Sequence, residues 1–292
     1  PLQWLGEFVA ARQHFEQAMA LYNPRQHRTL AFLNGEEPGV ACLSRKAKGL
    51  WLLGYPDQAL ADLQRALALA REQSHPSSQA LCLYYAGRVH QYRGEVQRCR
   101  DCAAALITMC TEQRFPHLLH LGQMLQGWTL VQEGQAEEGI VHMQQGQAAY
   151  RAIGTMAGVA EDLAHLAACY WYIGDIGRAR AVLAEALATV QQSGERLWEA
   201  EVHRLQGVLL LALPEYNQAA GEACFQRALD VARRQQAKSL ELRAATSLAR
   251  QWRLQGKQTE AYELLAPVYG WFTEGCDTAD LQEAQALLRA LA

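Results

Sequence analysis

A glycine recurs along this chain with the same escort each time. Counting from Gly174, a small residue stands five positions on (Ala179), a large apolar one nine on (Leu183) and a small one twelve on (Ala186). Gly6 is followed in this way by Ala11, Phe15 and Ala18, Gly54 by Ala59, Leu63 and Ala66, and Gly256 by Ala261, Leu265 and Val268. Gly134 leads Gly139, Met143 and Gly146, while Gly94 leads the weakest set, Cys99, Ala103 and Leu106. Near 214 a short insertion puts Tyr216 in the glycine slot, ahead of Gly221, Phe225 and Ala228. An isolated amphipathic helix repeats every 3.6 residues and has no reason to return to one phase every 40 or so. A second ladder, Ala47, Gly87, Gly127, Ala167, Gly207 and Ala249, runs a few residues upstream of the anchors. Each unit therefore reads as helix A carrying a small residue, a glycine turn, then helix B. One such pair cannot bury its apolar face alone, and stacking the next pair against it does so.

Composition agrees with this reading. No stretch alternates apolar and polar residues with β-branched side chains, as a half-buried strand would. Ala, Leu, Gln, Glu and Arg dominate and proline is scarce at 8, so the fold class is all-α. The net charge of −3 supplies no global field toward nucleic acid or anionic lipid, and neither is expected as a partner. No apolar run approaches the roughly 20 residues of a membrane span. The start, "PLQWLGEFVAARQHF", lacks a signal-peptide layout and a Met, and reads as a segment of a longer chain that is already inside a helical array. Eight cysteines, most of them where a small apolar residue would serve, read as reduced, buried thiols rather than a disulfide framework.

The order Ala167, Gly174, Ala179, Leu183, Ala186 resembles the tetratricopeptide repeat, whose unit is about 34 residues. The extra residues here are expected between helix B and the next helix A, as in "RAIGTMAGVAED" and "QQSGERLWEAE", and residues 22–41 as a long loop with a short helix. Such long units are similar to the superhelix of bacterial signal-transduction ATPases such as the maltose regulator. The resemblance implies one superhelical domain of about seven repeats over 1–292: a partial repeat at 1–22, then 38–72, 78–112, 118–152, 157–192, 197–235 and 238–272. A capping helix at 277–291 would follow, with Asp277 or Thr278 as N-cap and Leu281, Leu288 and Leu291 facing inward. More narrowly, 38–60, 223–250 and 263–288 resemble the C-terminal region of large bacterial proteins. In those, a class III nucleotide cyclase or kinase-like module precedes a P-loop ATPase. The resemblance implies a cytoplasmic protein whose catalytic modules lie upstream.

Motifs for chemistry are sparse. "QGKQTEA" at 255–261 has a Gly-Lys-x-Thr run but lacks the earlier glycine of a phosphate loop and falls on a repeat turn. Cys99, Cys102 and Cys110 have no second CxxC to complete a zinc site. The pairs His117 with His120 and Glu161 with His165 have helix spacings that metal sites use, without an HExxH, and no GxSxG is present. The expectation is a segment that is not itself an enzyme and carries no cofactor and no metal.

In the repeat family, helix A lines a concave groove through positions three before, one after and four after its small residue. Here these hold Ser44, Lys48 and Trp51; Tyr84, Arg88 and Gln91; Met124, Trp128 and Val131; Ala164, Ala168 and Trp171; Arg204, Val208 and Leu211; and Thr246, Arg250 and Arg253. Aromatic and Arg side chains are the types that carry binding hot spots. The candidate groove residues are Lys48, Trp51, Tyr84, Arg88, Trp128, Trp171, Arg204, Arg250 and Arg253, with the aromatics equally readable as filling a tight superhelix. Two functions are in play: a protein-interaction scaffold that takes up a protein segment, including one of its own polypeptide, and a sensor that encloses a small-molecule effector. The mixture of Lys48, Arg88, Arg250 and Arg253 favours the scaffold.

Overall fold

The computed structural model describes residues 2–154, 157–213 and 218–292. Among them lie fifteen α-helices and no strand: α1 (Phe8–Leu21), α2 (Pro24–Asn34), α3 (Pro38–Leu52), α4 (Pro56–Glu72), α5 (Pro76–Arg93), α6 (Val96–Glu112), α7 (Pro116–Gln132) and α8 (Ala136–Ala152), then α9 (Val159–Tyr172), α10 (Ile176–Ser193), α11 (Glu199–Leu211), α12 (Gln218–Arg234), α13 (Lys238–Leu254), α14 (Gln258–Tyr269) and α15 (Ala279–Leu291). The all-α helical-repeat superhelix is thus the observed fold class. From α3 onward A and B helices alternate, and α1 follows the Gly6 anchor as a B helix does. All six anchor glycines have positive φ, from 77° at Gly94 to 90° at Gly54. That left-handed turn ends helix A and reverses the chain, and glycine enters it without a Cβ penalty. Tyr216, assigned to the same slot, lies outside the described residues.

The extra residues expected between B and the next A are found in part: 194–198, within the quoted QQSGERLWEAE, separates α10 from α11, but elsewhere the repeat is lengthened differently. B helices α4, α6, α8, α10 and α12 run to 17 or 18 residues, and only 73–75, 113–115 and 235–237 separate three of them from the next A helix. Most of the extra length is therefore helix, not loop. Twenty residues after the anchor positions 54, 94, 134, 174 and 216, a left-handed residue makes the B-to-A turn: Ser74, Arg114, Gly154, Gly194 and Gln236. The segment 22–41 is likewise mostly helical. Asn23 caps α2 by accepting from the N–H groups of Arg25 and Gln26, and Gly35 at φ 70° ends it.

The chain packs as two compact units, a division that the repeat spacing does not announce. One holds Val9–Trp51 and Tyr55–Thr155; the other holds Pro1–Phe8, Leu52–Gly54 and Met156–Ala292. In the first, Cys99, Ala103, Leu106 and Cys110 of α6 pack with Leu121, Met124 and Leu125 of α7. In the second, Phe225, Ala228 and Leu229 of α12 share a core with Leu248, Ala249, Ala261 and Leu265. Leu281, Ala284, Leu287 and Leu291 of α15 join that core, with Leu288 half-buried beside them. Thr278 occupies its N-cap position, its hydroxyl donating back to the Gly275 carbonyl at 2.7 Å.

The small residues of both ladders meet each other. A Cβ on Gly127 of α7 would lie 2.5 Å from the carbonyl oxygen of Gly139 in α8, and one on Gly139 would lie 2.4 Å from that of Gly127. In the other unit, a Cβ on Gly207 would lie 2.9 Å from the Gly221 carbonyl and 2.6 Å from the ring of Phe225. Helices A and B thus touch backbone to backbone at the position upstream of the turn and the position five residues after the anchor. This sets a sign-reversed test. Gly127→Ala improves intrinsic helix propensity by roughly 1 kcal/mol, yet overpacking costs roughly 1–3 kcal/mol. The variant is expected to be less stable by up to about 2 kcal/mol, read as a lower urea midpoint at unchanged slope.

Candidate functional site

The nine groove candidates do not share one environment. In the first unit Lys48, Trp51 and Arg88 are buried, Trp51 with its ring 4.6 Å from that of Tyr92. Arg88 donates from Nε to the Tyr84 hydroxyl at 3.2 Å and from a terminal nitrogen to Gln91 Oε1 at 2.9 Å. Tyr84 and Trp128 are half-buried against the α6–α7 core. Trp51, Arg88 and Lys48 are therefore built into packing here, while in the second unit Trp171 is 42% exposed and Arg250 and Arg253 are exposed.

Other sequence candidates fall into structural roles. Burial raises the thiol pKa of Cys99, and those of Cys102 and Cys110 to about 11 each, so none is a ready thiolate. His120 is buried with its ring 5.0 Å from Tyr150, and burial lowers its pKa. His165 lies 5.5 Å from the Trp198 ring. Gly256 and Lys257 form the turn from α13 to α14. Among the described residues no three His, Cys, Asp or Glu side chains are grouped to hold a metal ion, and no helix is long and apolar enough to cross a membrane.

One polar constellation does assemble, in the second unit, where the A helices α11 and α13 and helix α15 lie side by side. Six residues before the small-residue ladder stand Glu161, Glu201 and Arg243. Three before it stand Ala164, Arg204 and Thr246, and one after it Ala168, Val208 and Arg250. Neighbouring helices in register thus bring opposite charges together. Arg204 grips Glu201 through two bonds of 2.8 Å and reaches Ser247 Oγ at 3.3 Å. Arg243 lies 3.6 Å from Glu201 and donates to Asp280 of α15 at 2.8 Å. Arg250 is paired with Glu283 of α15, both side chains half exposed. A cavity of about 150 Å³ opens among Glu201, Arg204, Arg243, Thr246, Ser247, Arg250, Asp280 and Glu283. The same unit has a second, larger hollow of about 450 Å³ between α10 and α11, lined by Leu183, Leu187, Leu209 and Leu210 among others.

Electrostatics divides the cluster into fixed and exchangeable parts. Burial by itself would raise the pKa of Glu201, but Arg204, Arg243 and, to a lesser degree, His165 outweigh it and bring the carboxyl down to about 2. Glu201 is thus a permanent anion clamped by two guanidinium groups. Arg250 is placed differently: partial burial and the neighbouring positive charge of Arg204 lower its pKa. Sequence reasoning found Arg204 and Arg250 but missed Glu201, Arg243, Asp280 and Glu283. The usable signal was the register, since Glu201 and Arg243 sit at the same offset from Gly207 and Ala249.

No known family profile matches this chain. A curated relative, the uncharacterized protein R02095 of Rhizobium meliloti (strain 1021), is 24% identical over 245 residues, covering 84% of this chain and 24% of its own length. The response regulator aspartate phosphatase A of Bacillus subtilis (strain 168) is 30% identical over 66 residues, 23% of this chain and 18% of its own. The chain therefore spans about a quarter or less of either relative. Among solved structures it is similar to a Rap protein complexed with competence and sporulation factor, with a TM-score of 0.62 at 11% identity over 87% of this chain and 74% of that one. The apo form of RapI gives 0.59 at 11% over 86% and 85%, and yeast Tom70 gives 0.53 at 13% over 97% and 58%. At such identities the likeness is one of fold, and it supports the tetratricopeptide-type helical repeat.

The clamped carboxylate has a pH consequence. With its folded pKa at about 2 and its ordinary value at 4.5, Glu201 contributes stability that is fully present above pH 4.5 and lost as pH falls toward 2. That contribution is on the order of 3 kcal/mol. In Glu201→Gln the unfolding free energy is expected to be lower at pH 7 and to fall less between pH 5 and 2 than in the wild type, measured by urea titration at stepped pH.

Proposed function

We propose that this chain is a protein-interaction scaffold and regulatory region that takes up a protein segment along the A-helix faces of its second unit. The observation that carries this reading is the guanidinium-rich face of α11 and α13. In the adjoining α9 the matching positions are Ala164 and Ala168, so packing alone would be served by small residues. Arg204 and Arg250 instead put charge there, Arg250 and Arg253 exposed. Arg side chains with a planar fork of donors suit a carboxylate-bearing partner. Support from the fold is general: a protein of similar fold has been solved with a competence and sporulation factor, and a helical-repeat stack offers an extended surface rather than a closed cleft. The exposed Trp171 is a candidate aromatic anchor.

The finer part of the proposal concerns the parent polypeptide. On the resemblance of 38–60, 223–250 and 263–288, it is a bacterial signalling ATPase or nucleotide cyclase, and the segment taken up belongs to its upstream part. A second reading, a small-molecule sensor, is favoured by the 450 Å³ hollow between α10 and α11, whose lining is largely apolar. None of the candidate aromatics lines that hollow, which ranks this reading below the scaffold.

Titrating the purified chain with the separately expressed upstream part of its polypeptide, and in parallel with a metabolite set, separates the two by tryptophan fluorescence. Arg250→Glu with Arg253→Glu is expected to weaken binding of the upstream part at least tenfold, about 1.4 kcal/mol. The melting temperature is expected to stay within about 2 °C, because an exposed pair such as Arg250 with Glu283 contributes roughly 1 kcal/mol at most. Unchanged affinity in the double variant removes both residues from the site, and quenching by a metabolite alone favours the sensor.

A further inference from the structure

The three guanidinium groups of the charge cluster are not equally available. Arg204 and Arg243 share Glu201, a buried carboxylate that no ligand replaces without uncovering a charge. Arg250 is paired instead with Glu283, and both side chains are 51% exposed. One helical turn before Arg250 on α13 stands Thr246, 4% exposed, which lines the 150 Å³ cavity; its Oγ1 is buried without a hydrogen-bond partner among the described residues. A buried hydroxyl left without a partner is costly, and a bound acceptor would relieve it. The cavity has room for about five waters at roughly 30 Å³ each, enough for a carboxylate and its first carbons.

We propose that Arg250, Thr246 and this cavity form a subsite for a single carboxylate of an incoming peptide, and that the Glu283 carboxylate is its resident competitor. The inference rests on the scaffold reading and adds what the site selects and how it is held closed. Charge decides the class of ligand. Arg204, Arg243 and Arg250 balance Glu201, Asp280 and Glu283, so turning Glu283 away leaves one net positive charge. A carboxylate neutralises it, whereas a phosphate dianion would place surplus negative charge beside Glu201 and Asp280. Opening needs only a side-chain rotation. Peeling α15 away would expose Leu281, Ala284, Leu287 and Leu291, all buried, while Glu283 already faces solvent. An exposed pair holds its partner with a preference of about fivefold at most, so the competitor tunes affinity without blocking the site.

The test is an NMR titration of the arginine side-chain Nε–H resonances. The probes are N-acetylglycine for a chain-terminal carboxylate, N-acetyl-aspartate N-methylamide for a side-chain carboxylate, and inorganic phosphate. A saturable shift of the Arg250 resonance by one or both carboxylates is expected, with Arg204 and Arg243 unmoved. The midpoint should fall about fivefold in Glu283→Gln and rise in Thr246→Val, whose melting temperature should not drop because a buried, unbonded hydroxyl is removed. An Arg250 resonance unmoved by either carboxylate in both wild type and Glu283→Gln overturns the proposal, as does an equal midpoint in the two or tighter binding of phosphate. The scaffold reading is judged separately. If the upstream part binds but is indifferent to Glu283→Gln and Thr246→Val, the reading stands and the subsite falls. If carboxylates titrate Arg250 and no protein segment binds, the subsite stands and the reading falls.

Discussion

Backbone contact between paired helices is the constraint on which the rest of this structure depends. Where Gly127 meets Gly139 and Gly207 meets Gly221, no side chain fits between the helices. The close approach fixes the crossing of A on B, which in turn sets where the next pair must stack. Large residues fill the space beside each contact, Met143 next to Gly127 and Phe225 next to Gly207. The glycine turn then needs no adjustment, since each of the six anchor glycines lies in the left-handed region at nearly the same φ. A cysteine serves as well as alanine at these contacts, which is why Cys99 is fully buried in the place that Ala59 or Ala179 takes elsewhere. Its raised pKa follows from that packing and carries no implication of reactivity.

A repeat fold of this kind leaves the A-helix faces as its variable surface. In the first unit those faces are spent on packing: Arg88 is held by Tyr84 and Gln91, and Trp51 lies on Tyr92. In the second unit they carry a graded set of charges, with Glu201 locked between two guanidinium groups at one end and Arg250 with Glu283 half in solvent at the other. Burial separates the two ends. The inner carboxylate is desolvated and would be unstable without Arg204 and Arg243, which hold it as an anion. The outer pair is hydrated, weak and exchangeable.

Helix α15 joins both roles. Its apolar side, Leu281, Ala284, Leu287 and Leu291, packs into the core that α12, α13 and α14 share. Its polar side delivers Asp280 and Glu283 to the charged face of α13. A helix that packs into the core is thereby also the source of the carboxylates that occupy the candidate binding face, so core packing and the state of the site are coupled through one element.

How much of this was legible beforehand follows from the range of the interactions. The 40-residue phase, the glycine turns and the small-residue ladder are local or belong to one helix pair, and such patterns are written in the spacing of residues like Gly54, Ala59 and Leu63. The all-α repeat fold was determined at that level. Exposure was not: Trp51 and Trp171 hold the same position in their repeats, yet one is 2% and the other 42% exposed. That difference depends on which side chains the rest of the unit lays over each position. The partners of Arg204 and Arg250 were hidden for a related reason. Arg250 and Glu283 are 33 residues apart, on helices whose contact exists only once the stack has formed. The length of the B helices and the division into two units belong to tertiary structure as well, because a helix ends, and a stack breaks, where packing partners stop.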